Sequence, residues 1–254
     1  YNEYGMMNSL YSGSVYENKN NNQFNYNPEE AIRLLKEAGY SKRNSDGWLV
    51  HDVTGKVLSF EIVIQKTSAY MVTPVQQMLK EYGLDMQIKF MDYNTMIKNV
   101  NARNFNVCML AYSGLVYPNP EGSLRSTLAD QNDNNNVWGF KSERVDELLD
   151  EYDICFDQKR RIEIIQEIDG IFCDVHPIAF SIARNYSRMM WWDKFNYPDW
   201  MLSRYVGEFW DAFYYWWYDE QKNSTLNESM KSGEALPIKP IDMKYWPIYL
   251  VNNL

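Results

Sequence analysis

Histidine and cysteine are scarce in this 254-residue chain, and each scarcity removes a class of chemistry. His51 and His176 are the only histidines. Neither has a partner at metal-ligand spacing, so structural roles are expected for both. A serine triad would need one of them, and no Gly-x-Ser-x-Gly elbow occurs. Cys108, Cys155 and Cys173 are odd in number and lack a close pairing motif. They are expected to be buried or idle thiols and say nothing about compartment. Basic residues are outnumbered, 25 Lys and Arg against 34 Asp and Glu, giving a net charge of −9 and a pI of 4.9. Nucleic acid and anionic membrane both need basic patches, so neither is expected as a partner. No run of 18 apolar residues exists to span a bilayer. Tyr1-Asn2-Glu3-Tyr4 has neither the basic region nor the apolar stretch of a signal peptide. A start at Tyr1 rather than methionine leads us to expect a mature product or a fragment of a longer protein.

Apolar residues make up 45% of the chain, enough for one large domain or two modest ones. Residues 1–25 are polar and Asn-rich and are expected to be a loop or the remnant of something earlier. A fully punctuated helix follows. Asn27 is a good N-cap, Pro28 suits the first helical position, and Glu30 can complete a capping box. Ala31, Leu34, Leu35 and Ala38 make one face apolar, and Gly39 supplies the stop. A helix this short is marginal alone, so its apolar face is expected to dock on a neighbour.

Asn44–Gly47 and Thr54–Lys56 read as turns around a short strand, Trp48–Val50. Leu58–Ile64 is a strand by its β-branched content. Val72–Tyr82 is a helix with Pro74 in its first turn and Gly83 as stop. Leu84–Phe90 alternates as a strand, with Met86, Ile88 and Phe90 on one side. Tyr93–Ala102 is a helix, and apolar Phe105–Ala111 a strand covered on both faces. Strand, helix, strand, helix, strand predicts a largely parallel α/β sheet with right-handed crossovers. Helices at about Ser142–Tyr152 and Asp157–Cys173 lead to a return strand, His176–Phe180.

The last part of the chain is different. Seven of the nine tryptophans lie beyond residue 190: Trp191, Trp192, Trp200, Trp210, Trp216, Trp217 and Trp246. Each seeks to bury roughly 150–250 Å². A segment of such weak periodicity cannot bury them alone, so it is expected to lie on another surface.

Tyr26–Tyr40, read as Tyr-Asn-Pro-Glu-x-Ala-x-x-Leu-Leu-x-Glu-Ala-Gly-Tyr, resembles the helix that begins the second lobe of the family-5 extracellular solute-binding proteins of ABC importers (the peptide/nickel type). Asp46-Gly47 and Gly55-Lys56 resemble that family's hairpin, and Phe105-Asn106 the head of its third strand. Gly139-Phe140-x-Ser142-Glu143-x-Val145-Asp146-x-Leu148-Leu149 is similar to a further motif, and Arg161 to Ile178 to its long helix and return strand. Trp191–Phe195 and Trp216–Lys222 look most like the microcin C and peptide-binding branch. The resemblance implies a periplasmic-binding-protein-like α/β lobe over residues 26–178 and an extended, aromatic-rich segment over 179–254 that returns to a first lobe absent from this chain. It implies a periplasmic or extracellular location, with a lipid anchor as a further possibility through the absent N-terminus. It also implies a peptide-like solute as ligand, an ABC permease as partner, no cofactor, and lobe closure about a hinge near Phe24–Asn27 and Pro177–Ala179.

Ligands of open α/β sheets bind beyond the strand carboxyl ends. The loop leaving the third strand is therefore the candidate site: Tyr112 and Tyr117 for stacking, Asn119 for hydrogen bonds, Ser113 in the same loop, with Trp138 and Arg125 nearby, the latter as a carboxylate clamp. Peptide-binding relatives often carry an aspartate before the loop tyrosine to pair with the ligand's α-amino group. Here Val116 stands there, so either Glu121 substitutes or the ligand is not held by a free amine.

Four further patterns bear on function. Asp130–Asn134 has the look of a calcium loop, but Asn135 and Lys141 stand where Gly and Glu are needed. Asn223-Ser224-Thr225 and Asn227-Glu228-Ser229 fit the glycan acceptor pattern and are discounted as chance. A carbohydrate-active hydrolase, with tryptophan stacking and two carboxylates facing across a cleft, is the alternative of a different class. A scaffold without ligand would bury its tryptophans.

Overall fold

A computed structural model describes residues 5–111, 117–183, 188–202, 210, 212–240 and 242–243. In chain order its elements begin with β1 (Gly5–Met6), α1 (Pro28–Glu37), β2 (Lys42–Arg43), β3 (Leu49–Val50) and β4 (Ser59–Ile64). Then come α2 (Ala69–Glu81), β5 (Asp85–Phe90), α3 (Tyr93–Asn101), β6 (Val107–Cys108) and α4 (Glu121–Leu124). The last are α5 (Glu143–Ile154), α6 (Gln158–Asp174), β7 (Ile182–Ala183), β8 (Phe195–Asn196), α7 (Ala212–Tyr215), β9 (Trp217–Tyr218) and α8 (Glu220–Ser232). They form two compact units, a larger one of residues 7–113 and 119–180 and a smaller one of residues 1–6, 114–118 and 181–254.

In the larger unit β4 lies between β5 and β6 and runs parallel to both. Ser59 faces Asp85 at one end of the register and Ile64 faces Phe90 at the other. The period-two alternation sorts the side chains. Phe60, Ile62, Ile64, Met86 and Ile88 pack with Val72 and Leu79 of α2. The opposite face is polar at its start, where Ser59 donates to Asp85 at 2.8 Å and Lys89 pairs with Glu61 at 3.0 Å. A right-handed return from β5 past β4 to β6 carries α3 to that opposite face. Met96 and Val100 are buried there, as is Val63.

Several expectations need correction. The third strand is only Val107–Cys108, because the Asn106 side chain accepts from Glu61 N–H where a backbone carbonyl would have done so. Val107 is exposed on one side rather than covered on both. A 3-10 turn, Lys66–Ser68, runs straight into α2, so Pro74 falls inside the helix rather than in its first turn. Asn27 caps α1 through Glu30 N–H at 3.1 Å, but the Glu30 carboxylate turns to Arg33 instead of closing a capping box. None of α1 is buried. The helix is held near its end, where Gly39 O accepts from Asp52 N–H and Tyr40 meets His51 edge to face.

The largest core lies between helices, not on the sheet. Val145, Leu148 and Leu149 of α5 interlock with Ile164, Ile165, Ile168 and Phe172 of α6. Ser142 and Asp157 cap the two helices. Residues 7–21 fold onto this core around one buried carboxylate. Asp169 accepts from Leu10 N–H, Asn18 N–H and Asn21 Nδ2, at 3.1, 3.1 and 2.8 Å. His176–Phe180 is not a strand: His176 turns into the left-handed region with φ 54°.

In the smaller unit the strand after this turn is β7, paired antiparallel with β1. Strands β8 and β9 form a second short pair. Trp191, Tyr197 and Trp216 cluster at centroid distances of 4.8–6.1 Å, and Trp216 Nε1 donates to Met201 O. Helix α8 is a correction to the expectation of an extended tail. Asp219 caps it and Gly233 ends it, yet only Leu226 is buried, so its sequence carries almost no apolar period. Trp246 lies outside the described residues.

Candidate functional site

Because β4, β5 and β6 are parallel, their carboxyl ends share one edge of the sheet. An open cleft of about 400 Å³ lies on that edge, lined by Gln65, Lys66 and Thr67 after β4 and by Phe90, Met91, Asp92 and Tyr93 at the end of β5. The local sequence explains the lining. Strand β4 ends in a 3-10 turn that sets Lys66 and Thr67 outward. Asp92 ends β5 by capping α3, accepting from Thr95 N–H at 3.0 Å. Hydrogen bonds from Thr95 hold the Asp92 carboxyl below the usual carboxylate range, and the exposed side chain of Lys66 lines the same cleft. Phe90 and Tyr93 are 53% and 59% exposed, and Tyr70 and Leu110 near the same edge are also open to solvent. The arrangement is a shelf of unburied aromatic surface with one charge of each sign. It can hold a dipolar solute. Asp92 is the only carboxylate lining it, so the facing acid pair of a glycosidase is absent from this cleft.

Strand β6 is parallel to its neighbour β4, so the loop after it starts on the same carboxyl edge of the sheet. The loop after β6 therefore remains a candidate by position, although Tyr112, Ser113 and Val116 lie outside the described residues. Tyr117 is exposed and belongs to the smaller unit, while Asn119 is exposed in the larger one. Arg125 and Trp138 are in the larger unit and are engaged internally. The Arg125 guanidinium binds Glu121 at 2.7 Å and Asp150 at 2.8 Å and donates to Asp146 O. Those carboxylates, Glu121 foremost, raise its pKa still further. A ligand carboxylate would have to displace one of them, and Glu121 is not free to take the place of the missing aspartate. Trp138 packs edge-on against Phe172, with centroids 5.0 Å apart.

Sequence reasoning missed the cleft residues after β4 and β5. The signal was present: Lys66-Thr67-Ser68 and Asp92-Tyr93 each directly follow a strand of a parallel set. Elsewhere, Asp130 is bound by Lys141 at 2.7 Å, and His51 Nδ1 accepts from Val53 and Thr54 N–H in a turn. Among the described residues no group of three or more His, Cys, Asp or Glu side chains could hold a metal ion.

Residues 1–135 match the family model of bacterial extracellular solute-binding proteins, family 5, middle region. The chain is 24% identical over 207 residues to the uncharacterized protein YejA of Escherichia coli, covering 81% of this chain and 33% of YejA. It is 24% identical over 163 residues to the oligopeptide-binding protein AppA of Bacillus subtilis, covering 62% of this chain and 29% of AppA. The solved structure of AppA with a nonapeptide superposes with a TM-score of 0.63 at 21% identity, over 72% of this chain and 37% of that one. NikZ of Campylobacter jejuni in complex with Ni(L-His) superposes with a TM-score of 0.61 at 18% identity, over 72% and 37%. These likenesses establish a shared fold. The chain spans about a third of the length of the curated relatives it matches.

Proposed function

The chain belongs to the bacterial extracellular solute-binding proteins of family 5, and from that premise we propose that it forms part of the substrate-binding component of an ABC importer. It holds a peptide-like solute against the carboxyl edge of its parallel sheet and delivers it to a membrane permease on the periplasmic or extracellular side. No chemical step is involved. The observation that carries this reading is the open cleft at the ends of β4 and β5, where Phe90, Tyr93, Lys66 and Asp92 stand together on the edge that parallel sheets use for ligands. AppA, a relative in sequence and fold, has been solved with a peptide, which supports the ligand class. The loop of Tyr112, Ser113, Tyr117 and Asn119 contributes contacts from the third strand's end.

The remaining two thirds of the relatives' length supports a second part to the reading. A further lobe of the intact receptor closes over this edge and covers the aromatic surface of the smaller unit.

Calorimetry of the full-length protein with a peptide library tests the proposal. Phe90→Ala and Lys66→Ala are each expected to weaken binding about tenfold, the equivalent of about 1.4 kcal/mol, and Tyr117→Ala to weaken it as well. Unchanged affinity in all three variants would remove the carboxyl edge from the site.

A further inference from the structure

Strand β5 is the outer strand of its sheet. Asp85 and Met91 donate to Leu58 O and Ile64 O of the β4 side. By the alternation of a parallel ladder, Asp85, Gln87 and Lys89 turn their backbone groups toward β4, and Met86, Ile88 and Phe90 turn theirs outward. Gln76 Nε2 donates to Met86 O at 2.7 Å. Among the described residues no other partner reaches these outward groups, and a carbonyl with one donor keeps a second lone pair. A hollow of about 250 Å³ beside the strand, bordered by Trp48, Gln76, Lys80 and Met86, leaves the edge approachable.

The order of side chains along this edge is self-complementary. Asp85-Met86-Gln87-Ile88-Lys89, read against itself in reverse, sets each Asp85 opposite a Lys89 and each Met86 opposite an Ile88. The backbone phase agrees. Outward-facing Met86 and Ile88 would form the hydrogen-bonded pairs. Asp85, Gln87 and Lys89 would form the closer, non-hydrogen-bonded pairs, where cross-strand charges interact best. Charges on an edge strand ordinarily keep it from pairing. Here their order makes them attract in the antiparallel arrangement. Lys89 now pairs with Glu61, and both groups are partly exposed, so that contact is weak and exchangeable.

We propose that the β5 edge is an interface between two copies of this chain, paired antiparallel about a two-fold axis at Gln87. A strand pair of this length buries little area, so the dimer is weak and concentration-dependent.

Sedimentation velocity over a wide range of protein concentration tests this on the 254-residue chain. The chain should show a reversible monomer–dimer equilibrium. Asp85→Lys alone and Lys89→Asp alone should each weaken self-association about tenfold or more, since both replace two attractive pairs with two repulsive ones. A one-to-one mixture of the two variants should restore the dimer, and so should the double variant. Circular dichroism of each variant separates lost pairing from lost fold. Neither residue lines the cleft, so ligand affinity is an independent readout. A chain that stays monomeric throughout, or a dimer whose strength ignores both charge reversals, overturns the proposal.

Discussion

Cys173 shows how one buried carboxylate sets the chemistry of a neighbour. Its Sγ lies 3.7 Å from Asp169 Oδ1 and 3.3 Å from Asn21 Nδ2. Burial first, and then the charge of Asp169, push the thiol up to about 12. The folded value lies above the unfolded one, so the protonated thiol contributes stability at neutral pH, and that contribution is lost as pH climbs through the folded value. With Cys108 and Cys155 replaced by alanine, alkylation of Cys173 by iodoacetamide should keep accelerating with pH well past 9. Asp169→Asn should move the midpoint down while burial keeps it above the ordinary thiol range; a profile unmoved by that variant would exclude the carboxylate as a cause. Asn136 is a second residue of this kind. It is fully buried, accepts from Phe140 N–H and donates to Phe140 O and Arg125 O. Nothing in the string Asn134-Asn135-Asn136 tells which of three asparagines is the internal one. That distinction comes from the fold around it, since a buried amide must satisfy each of its polar atoms.

At the scale of elements, the Asn27 cap and the Gly39 and Gly83 stops were legible because such signals act within a few residues. Asn27, Asp92, Ser142 and Asp157 accept from the backbone N–H three positions on, as short-range chemistry dictates. Partners were not legible for the same reason. The apolar stripe of α1 predicts a docked helix, yet Leu34 is 49% exposed, whereas Leu148 on α5 is completely covered. Periodicity marks a face and leaves open what meets it. The difference is measurable by urea denaturation. Leu148→Ala should cost about 2–5 kcal/mol, and Leu34→Ala should fall well under 1 kcal/mol because little surface leaves water there. Comparable losses at both positions would mean that α1 is packed in solution. Helix α8 went unseen for the converse reason: its caps are ordinary, but a helix that buries only Leu226 writes no stripe. Within the candidate site, strand ends were readable and the cleft was not. The cleft depends on β4 and β5 being neighbours in register, which no local signal states.

At the scale of the whole molecule, the smaller unit carries the unresolved demand of the sequence. Part of its aromatic content is satisfied internally, in the cluster of Trp191, Tyr197 and Trp216. Part is not: Trp192 is 61% exposed and Phe213 79%. Exposed rings of this size are what an interaction face uses where they adjoin one another. The relatives are about three times as long as the stretch matched here, and the receptor proposed above would need a second surface. The two facts have a common answer if the further lobe rests on these rings. Acrylamide quenching reads this directly. In the 254-residue chain the emission of Trp192, Trp210 and Trp217 should be quenched readily and shifted to the red. In the full-length receptor the same tryptophans should be shielded and shifted to the blue, and replacing Trp192 with phenylalanine should remove a large share of the difference. Equal quenching in both proteins would leave the aromatic face open to solvent in the intact receptor, and the covering lobe would have to sit elsewhere.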